Sequence, residues 1–129
     1  MSKFLAALAI VIVTFGAALA QDQTQDPRNP PSRGLAPKVE NGIGRADVRV
    51  VDENGNPIRN AYVKLESNRS DGYFCESWGE TDENGIIVLP PIHMGSLKFK
   101  VKAEGYEKRE LSFGASDLGE PVKITLHKK

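Results

Sequence analysis

The chain has 129 residues, 17 of them basic and 17 acidic, with one cysteine and two histidines. That length suits one small domain, and a formal charge of zero offers neither a basic field for nucleic acid nor an acidic excess that would keep the chain unfolded. A single cysteine excludes an internal disulfide, and with two histidines it cannot complete a four-ligand cysteine–histidine zinc site.

The N-terminus has its own pattern. Lys3 precedes an apolar run from Phe4 to Val13, and Ala18-Leu19-Ala20 stands just before polar Gln21-Asp22-Gln23. This is the order of a signal peptide over residues 1–20, cleaved after Ala20, and the expected location is secreted or periplasmic. The apolar run is short for a bilayer span, so no transmembrane segment is expected after cleavage. Residues 21–42 hold Pro27, Pro30, Pro31 and Pro37 and few large apolar groups. Such a segment buries too little surface to offset its ordering entropy, so a disordered linker is expected there. The folded domain is expected over residues 43–129.

That domain alternates in twos. Ala46, Val48 and Val50 interleave with Asp47 and Arg49, and Ala61, Val63 and Leu65 with Tyr62 and Lys64. Further on, Leu97, Phe99 and Val101 interleave with Lys98, Lys100 and Lys102, and Val122, Ile124 and Leu126 with Lys123 and Thr125. Period two with one polar face marks strands packed on one side and solvated on the other. Gly and Asn clusters between them, such as Asp52-Glu53-Asn54-Gly55 and Asp82-Glu83-Asn84-Gly85, supply the positive φ angles of tight hairpins. The spacing predicts seven strands, over residues 44–52, 59–67, 73–80, 86–89, 96–103, 106–113 and 121–127. The fold class is therefore all-β, a seven-stranded antiparallel sandwich.

Three stretches resemble one family. Val48-x-Val50-x-Asp52-x-x-Gly55-x-Pro57-Ile58-x-x-Ala61 is similar to the opening hairpin of carboxypeptidase regulatory-like domains. Thr81-Asp82-x-x-Gly85-x-Ile87-x-Leu89 resembles their second hairpin, and Leu97-x-Phe99-x-Val101-x-Ala103-x-Gly105-Tyr106 the strand ending in their Gly-Tyr pair. The resemblance implies a transthyretin-like, Ig-like sandwich with a binding, accessory or structural role and no catalysis. Relatives of this shape that do chemistry lack their residues here. The hydrolases among them end in Tyr-Arg-Gly-Ser, whereas this chain ends Leu126-His127-Lys128-Lys129. Intradiol dioxygenases hold iron with two Tyr and two closely spaced His, whereas His93 and His127 stand far apart in the sequence. Neither catalytic residues, nor a cofactor, nor a metal are expected.

Weaker constellations remain. Asp52-x-Asn54-x-Asn56 and Asp82-x-Asn84 have calcium-loop spacing, but Pro57 occupies the position where a calcium loop needs Gly, so hairpin turns are expected. Cys75 has no identifiable base and is expected as a structural thiol, with an intermolecular disulfide as the alternative. Tyr73 and Trp78 are candidate sugar-stacking residues. Phe74 and Trp78 share strand parity, so burial in the core is the competing expectation. Lys98, Lys100 and Lys102 share one face and are candidate ligand-binding residues for an anionic glycan or lipid head group, extended by Lys123 and His127 if those strands pair. A solvated face is the alternative. A small hydrolase built on His93 or His127 is the enzyme-class alternative. The expected partner is a protein or a glycan.

Overall fold

Alternating apolar side chains need a second layer to cover them, and the chain supplies it by folding one sheet over another. The computed structural model describes residues 28–129. The expected signal peptide and its cleavage point lie outside the described residues. Nine strands follow in order: β1 (Ile43–Gly44), β2 (Asp47–Val51), β3 (Tyr62–Asn68), β4 (Phe74–Glu80), β5 (Ile86–Val88), β6 (Ile92–His93), β7 (Ser96–Lys102), β8 (Arg109–Phe113) and β9 (Val122–Thr125). Each of the seven expected stretches overlaps one of these strands. The first also meets the end of β1, and β6 is additional. Among the described residues no helix is long and apolar enough to cross a membrane.

One sheet has the order β4-β3-β7-β8 and is antiparallel throughout. The other has the order β5-β2-β9, and β1 pairs with β6 beside them. The all-antiparallel expectation is corrected at one place, because β9 runs parallel to β2, with Val48 opposite Val122 and Val50 opposite Ile124. Parallel neighbours need a long crossover, and the four-stranded sheet is that crossover. The 3-10 turn Ala115–Asp117 and buried Leu118 carry the chain from β8 toward β9.

Val48 and Val50 of β2, Val63 and Leu65 of β3, and Phe99 and Val101 of β7 are buried in one core cluster. Phe99 meets Phe113 edge to face at 5.8 Å, a favoured ring geometry. Two aspartates close the turns. Asp52 Oδ1 accepts from the backbone N–H of Asn54 and Asn56, both at 2.9 Å, and the Asn56 N–H holds the carboxyl below its usual range. Asp82 Oδ1 accepts from Asn84 at 2.8 Å and Ile86 at 3.0 Å. The calcium-like spacing is therefore turn chemistry. Gly85 sits at φ +74°, and a β-carbon there would lie 2.6 Å from the Val50 carbonyl oxygen.

Asp47 and Arg49 depart from the alternation rule. Their parity predicts a solvated face, yet Asp47 is fully buried and Arg49 nearly so. Arg49 Nε and Nη2 donate to the two Asp47 carboxylate oxygens, each at 3.2 Å. The cover is the segment 31–36. Arg33 N–H donates to Asp47 Oδ2 at 2.9 Å, and the Pro31 carbonyl accepts from Arg49 Nη2 at 3.5 Å. Leu35 and Arg45 exchange backbone hydrogen bonds of 2.8 and 2.9 Å, and Ala36 packs against the core. Gly34 lies against the Leu118 carbonyl so closely that a β-carbon has no room. The expected linker over 21–42 is thus corrected for its second half. Pro31–Lys129 is one compact unit, and its first residues form a strap held by backbone hydrogen bonds, which composition does not reveal.

Asp47→Ala takes the carboxylate from a buried guanidinium and is expected to cost about 3–5 kcal/mol in denaturant unfolding. Phe99→Ala is expected to cost a similar ~3–5 kcal/mol through its cavity. Gly85→Val is expected to cost more than about 1 kcal/mol through backbone strain. A near-neutral Asp47→Ala would show that the strap does not seal the pair.

Candidate functional site

The outer face of the four-stranded sheet is built in rows by strand register. Across β4, β3 and β7, Glu80, Tyr62 and Lys102 stand abreast. In the next row come Trp78, Lys64 and Lys100, followed on β8 by Glu110. The third row is Glu76, Glu66, Lys98 and Ser112. Facing rows on a pleated sheet bring these side chains within contact range.

Acids interrupt the lysine stripe. Lys100 Nζ lies 3.2 Å from Glu66 and 3.7 Å from Glu110. Lys64 Nζ lies 3.2 Å from Glu76 and 3.7 Å from Glu66. The hydrogen bond from Lys100 holds the Glu66 carboxyl below the usual glutamate range, and the hydrogen bond to Glu76 holds the Lys64 ammonium above the usual lysine range. Lys102 stands over the Tyr62 ring at 5.2 Å. Lys98 is exposed opposite Glu66. Lys123 lies on β9 of the other sheet, which does not pair with β7, so the strand pairing expected to extend the stripe through Lys123 and His127 does not form; His127 lies beyond β9, its carbonyl accepting from the Glu107 N–H at 2.8 Å.

The aromatic expectation resolves toward exposure. β4 is an edge strand, and Phe74 and Trp78 are 52% and 56% exposed on its outer face. Their parity matches the polar face of β3, which is why the core expectation fails. Tyr73, 69% exposed, lies in the turn before β4, with the Arg69 guanidinium 5.4 Å from its ring. Cys75 is half-buried on the opposite parity, across from Ser67.

The histidines do not meet. His93 pairs with Ile43 at the start of β1, and its Nδ1 donates to the Asn41 carbonyl at 2.8 Å. His127 follows β9 beyond the level of Val51, and its Nδ1 lies 3.1 Å from Glu53. They sit at opposite ends of the β1–β2 stretch, so a hydrolase site uniting them is not assembled. Among the described residues no three His, Cys, Asp or Glu side chains converge as metal ligands.

Sequence reasoning missed Tyr62, Lys64 and Lys108. With Lys100, Lys102 and Glu110 they line an open groove of about 410 Å³ across β3, β7 and the start of β8. Arg109 also borders it, with its guanidinium donating to the Thr125 carbonyl at 2.7 Å. Only the strand register brings these residues together, and no local motif signals it.

No family model matches the chain. No curated protein matches it either. Solved structures do. The 3-chlorocatechol 1,2-dioxygenase of Rhodococcus opacus 1CP aligns at 16% identity and a TM-score of 0.51, over 78% of this chain and 65% of that one. The hydroxyquinol 1,2-dioxygenase of Pseudomonas putida DLL-E4 aligns at 13% identity and a TM-score of 0.53, over 83% and 65%. A streptococcal ancillary pilin aligns at 16% identity and a TM-score of 0.47, over 67% and 30%. The chain thus spans 65% of the length of either dioxygenase, and likeness at this identity shows the β-sandwich alone. It also corrects one expectation. The chain was expected not to be an enzyme, yet two of the similar sandwiches are enzymes, so the fold gives no ground for that exclusion.

The ion pairs make stability depend on pH. Glu66 has a lowered folded pKa, so its contribution is complete above the ordinary glutamate range and is lost as pH falls through the folded value. Lys64 has a raised folded pKa, so its contribution is complete below the ordinary lysine range and is lost as pH rises through the folded value. Denaturation midpoints measured against pH should therefore fall at both extremes. Glu66→Gln should flatten the acid limb; an unchanged acid limb would show that these pairs do not couple to folding.

Proposed function

We propose that the chain is an exported accessory sandwich of the carboxypeptidase regulatory-like, transthyretin-like kind, which holds a glycan at the cell envelope. The outer face of the four-stranded sheet is the binding surface in this reading. One observation carries it: Trp78 and Phe74 are exposed on the same face as Lys64, Lys98, Lys100 and Lys102. A flat ring stacks on the apolar face of a sugar, while flanking charged groups hydrogen-bond its hydroxyls. Large rings left half in water need such a partner more than scattered small apolar groups do. The N-terminal charge, apolar run and Ala18-Leu19-Ala20 order support export.

Affinity electrophoresis through gels cast with neutral dextran, galactan or polygalacturonate tests the surface. At least one polysaccharide should retard the protein, and Trp78→Ala should weaken that retention about fivefold or more, in line with about 1 kcal/mol per stacked ring. The denaturation midpoint should hardly move, because the ring is half exposed. Retention that ignores Trp78 would overturn the reading, and capture of a protein alone would replace the glycan. N-terminal sequencing of the exported form should begin at Gln21; an intact Met1 outside the cytoplasm would overturn the cleavage.

A further inference from the structure

We propose that the groove across β3, β7 and the start of β8 binds the anionic group of an acidic polysaccharide, a carboxylate or sulfate borne on a sugar, with Lys102 and Lys108 as its anchoring cations. The proposal rests on the reading of the outer face as a glycan surface and names the ligand's chemistry.

The lysines of this face are not equivalent. Lys64 and Lys100 each lie within 4.0 Å of two glutamates. Lys102 and Lys108 border the groove, and neither forms an ion pair with any described carboxylate. The β7–β8 register sets Lys100 against Glu110 and Val101 against Arg109. The pairing ends there, and Lys108, the residue before β8, borders the groove together with Lys102. Two cations on one groove rim repel, and an anion between them reverses the sign. The Tyr62 ring below Lys102, at 5.2 Å, holds the ammonium at the groove wall by cation–π attraction.

The surroundings favour a chain polymer over a bilayer. Trp78, Lys64, Lys100 and Glu110 form one row from β4 to β8. Four strands at about 4.8 Å spacing make that row roughly 14 Å long. A short stretch of sugar laid along it meets the Trp78 ring at one end and the groove at the other. A flat anionic membrane would instead press on Glu66, Glu76 and Glu80 of the same face, where like charge repels it.

The test uses the intact protein with polygalacturonate, dextran sulfate and neutral dextran in affinity gels, and phosphatidylglycerol vesicles in sedimentation. Both polyanions should retard the protein. The double variant Lys102→Gln, Lys108→Gln should weaken that retention about tenfold or more, and added salt should abolish the difference. Lys123→Gln, on β9 of the other sheet, should change retention less than about twofold. The double variant should keep or raise the denaturation midpoint, because both lysines are exposed and neither forms an ion pair with a described carboxylate. The proposal fails if neither polyanion binds, if Lys123→Gln is as damaging as the double variant, or if the double variant unfolds more readily. Where polyanions fail while Trp78-dependent retention on a neutral glycan persists, the groove assignment falls and the wider reading of the face stands. Vesicle binding that requires Lys102 and Lys108 would move the groove to a lipid head group and overturn the polysaccharide.

Discussion

The sandwich turns on a buried ion pair in the middle strand of its smaller sheet. Asp47 and Arg49 lie on β2, between β5 and β9, with their charged ends out of water. Taking both groups out of water costs several kcal/mol each. The fold offsets this with geometry: two side-chain hydrogen bonds between the pair, one from the Arg33 amide and one to the Pro31 carbonyl. Removing Asp47 takes the carboxylate from a buried guanidinium, and removing the strap opens the pair to water. The pair therefore fixes where the N-terminal segment must lie, and the segment in turn makes the outer side of β2 an interior. A hydrophobic pair of similar volume would be no less stable in principle, but it would not specify which backbone amide docks where.

The larger sheet works under the opposite condition, with its charges left in water. Glu66 stands between Lys64 and Lys100, and Glu110 reaches Lys100 from the far edge. Exposed pairs of this kind contribute little individually. Their effect is to neutralise the centre of the face, leaving Lys102 and Lys108 without a described carboxylate at the β7–β8 corner and aromatic surface at the β4 edge. A face that reads in sequence as one lysine stripe is, in three dimensions, a graded surface.

Much of this was legible in the sequence, for a definable reason. Leu65, Phe99 and Val101 follow a strict period of two, and Gly85 closes a turn that few other residues can, so the strands and hairpins announce themselves locally. The strap was not legible, because Pro31, Arg33 and Gly34 are ordered by backbone hydrogen bonds and close approach, neither of which leaves an apolar pattern. Asp47 and Arg49 have the parity of solvent-facing residues, and only the chain crossing above them reverses that. Phe74 and Trp78 share one strand parity, which does not by itself say which face is buried; pairing with Asn68 and Lys64 of β3 puts that parity on the solvent face. Tyr62 and Lys64 acquire Lys100 and Lys102 through the pairing of β3 with distant β7, and Lys108 joins them across the β7–β8 turn, information that no single strand carries.

The contact between Gly34 and the Leu118 carbonyl reaches beyond packing. It ties the strap to the short turn that delivers the chain into β9, two segments far apart in the sequence. Neither can lift without loosening the other, because the glycine sits flush against that carbonyl and the strap's neighbouring amide closes on Asp47. The two segments are therefore expected to open together. In amide-exchange terms, Leu35, Arg45 and Leu118 should exchange as one group.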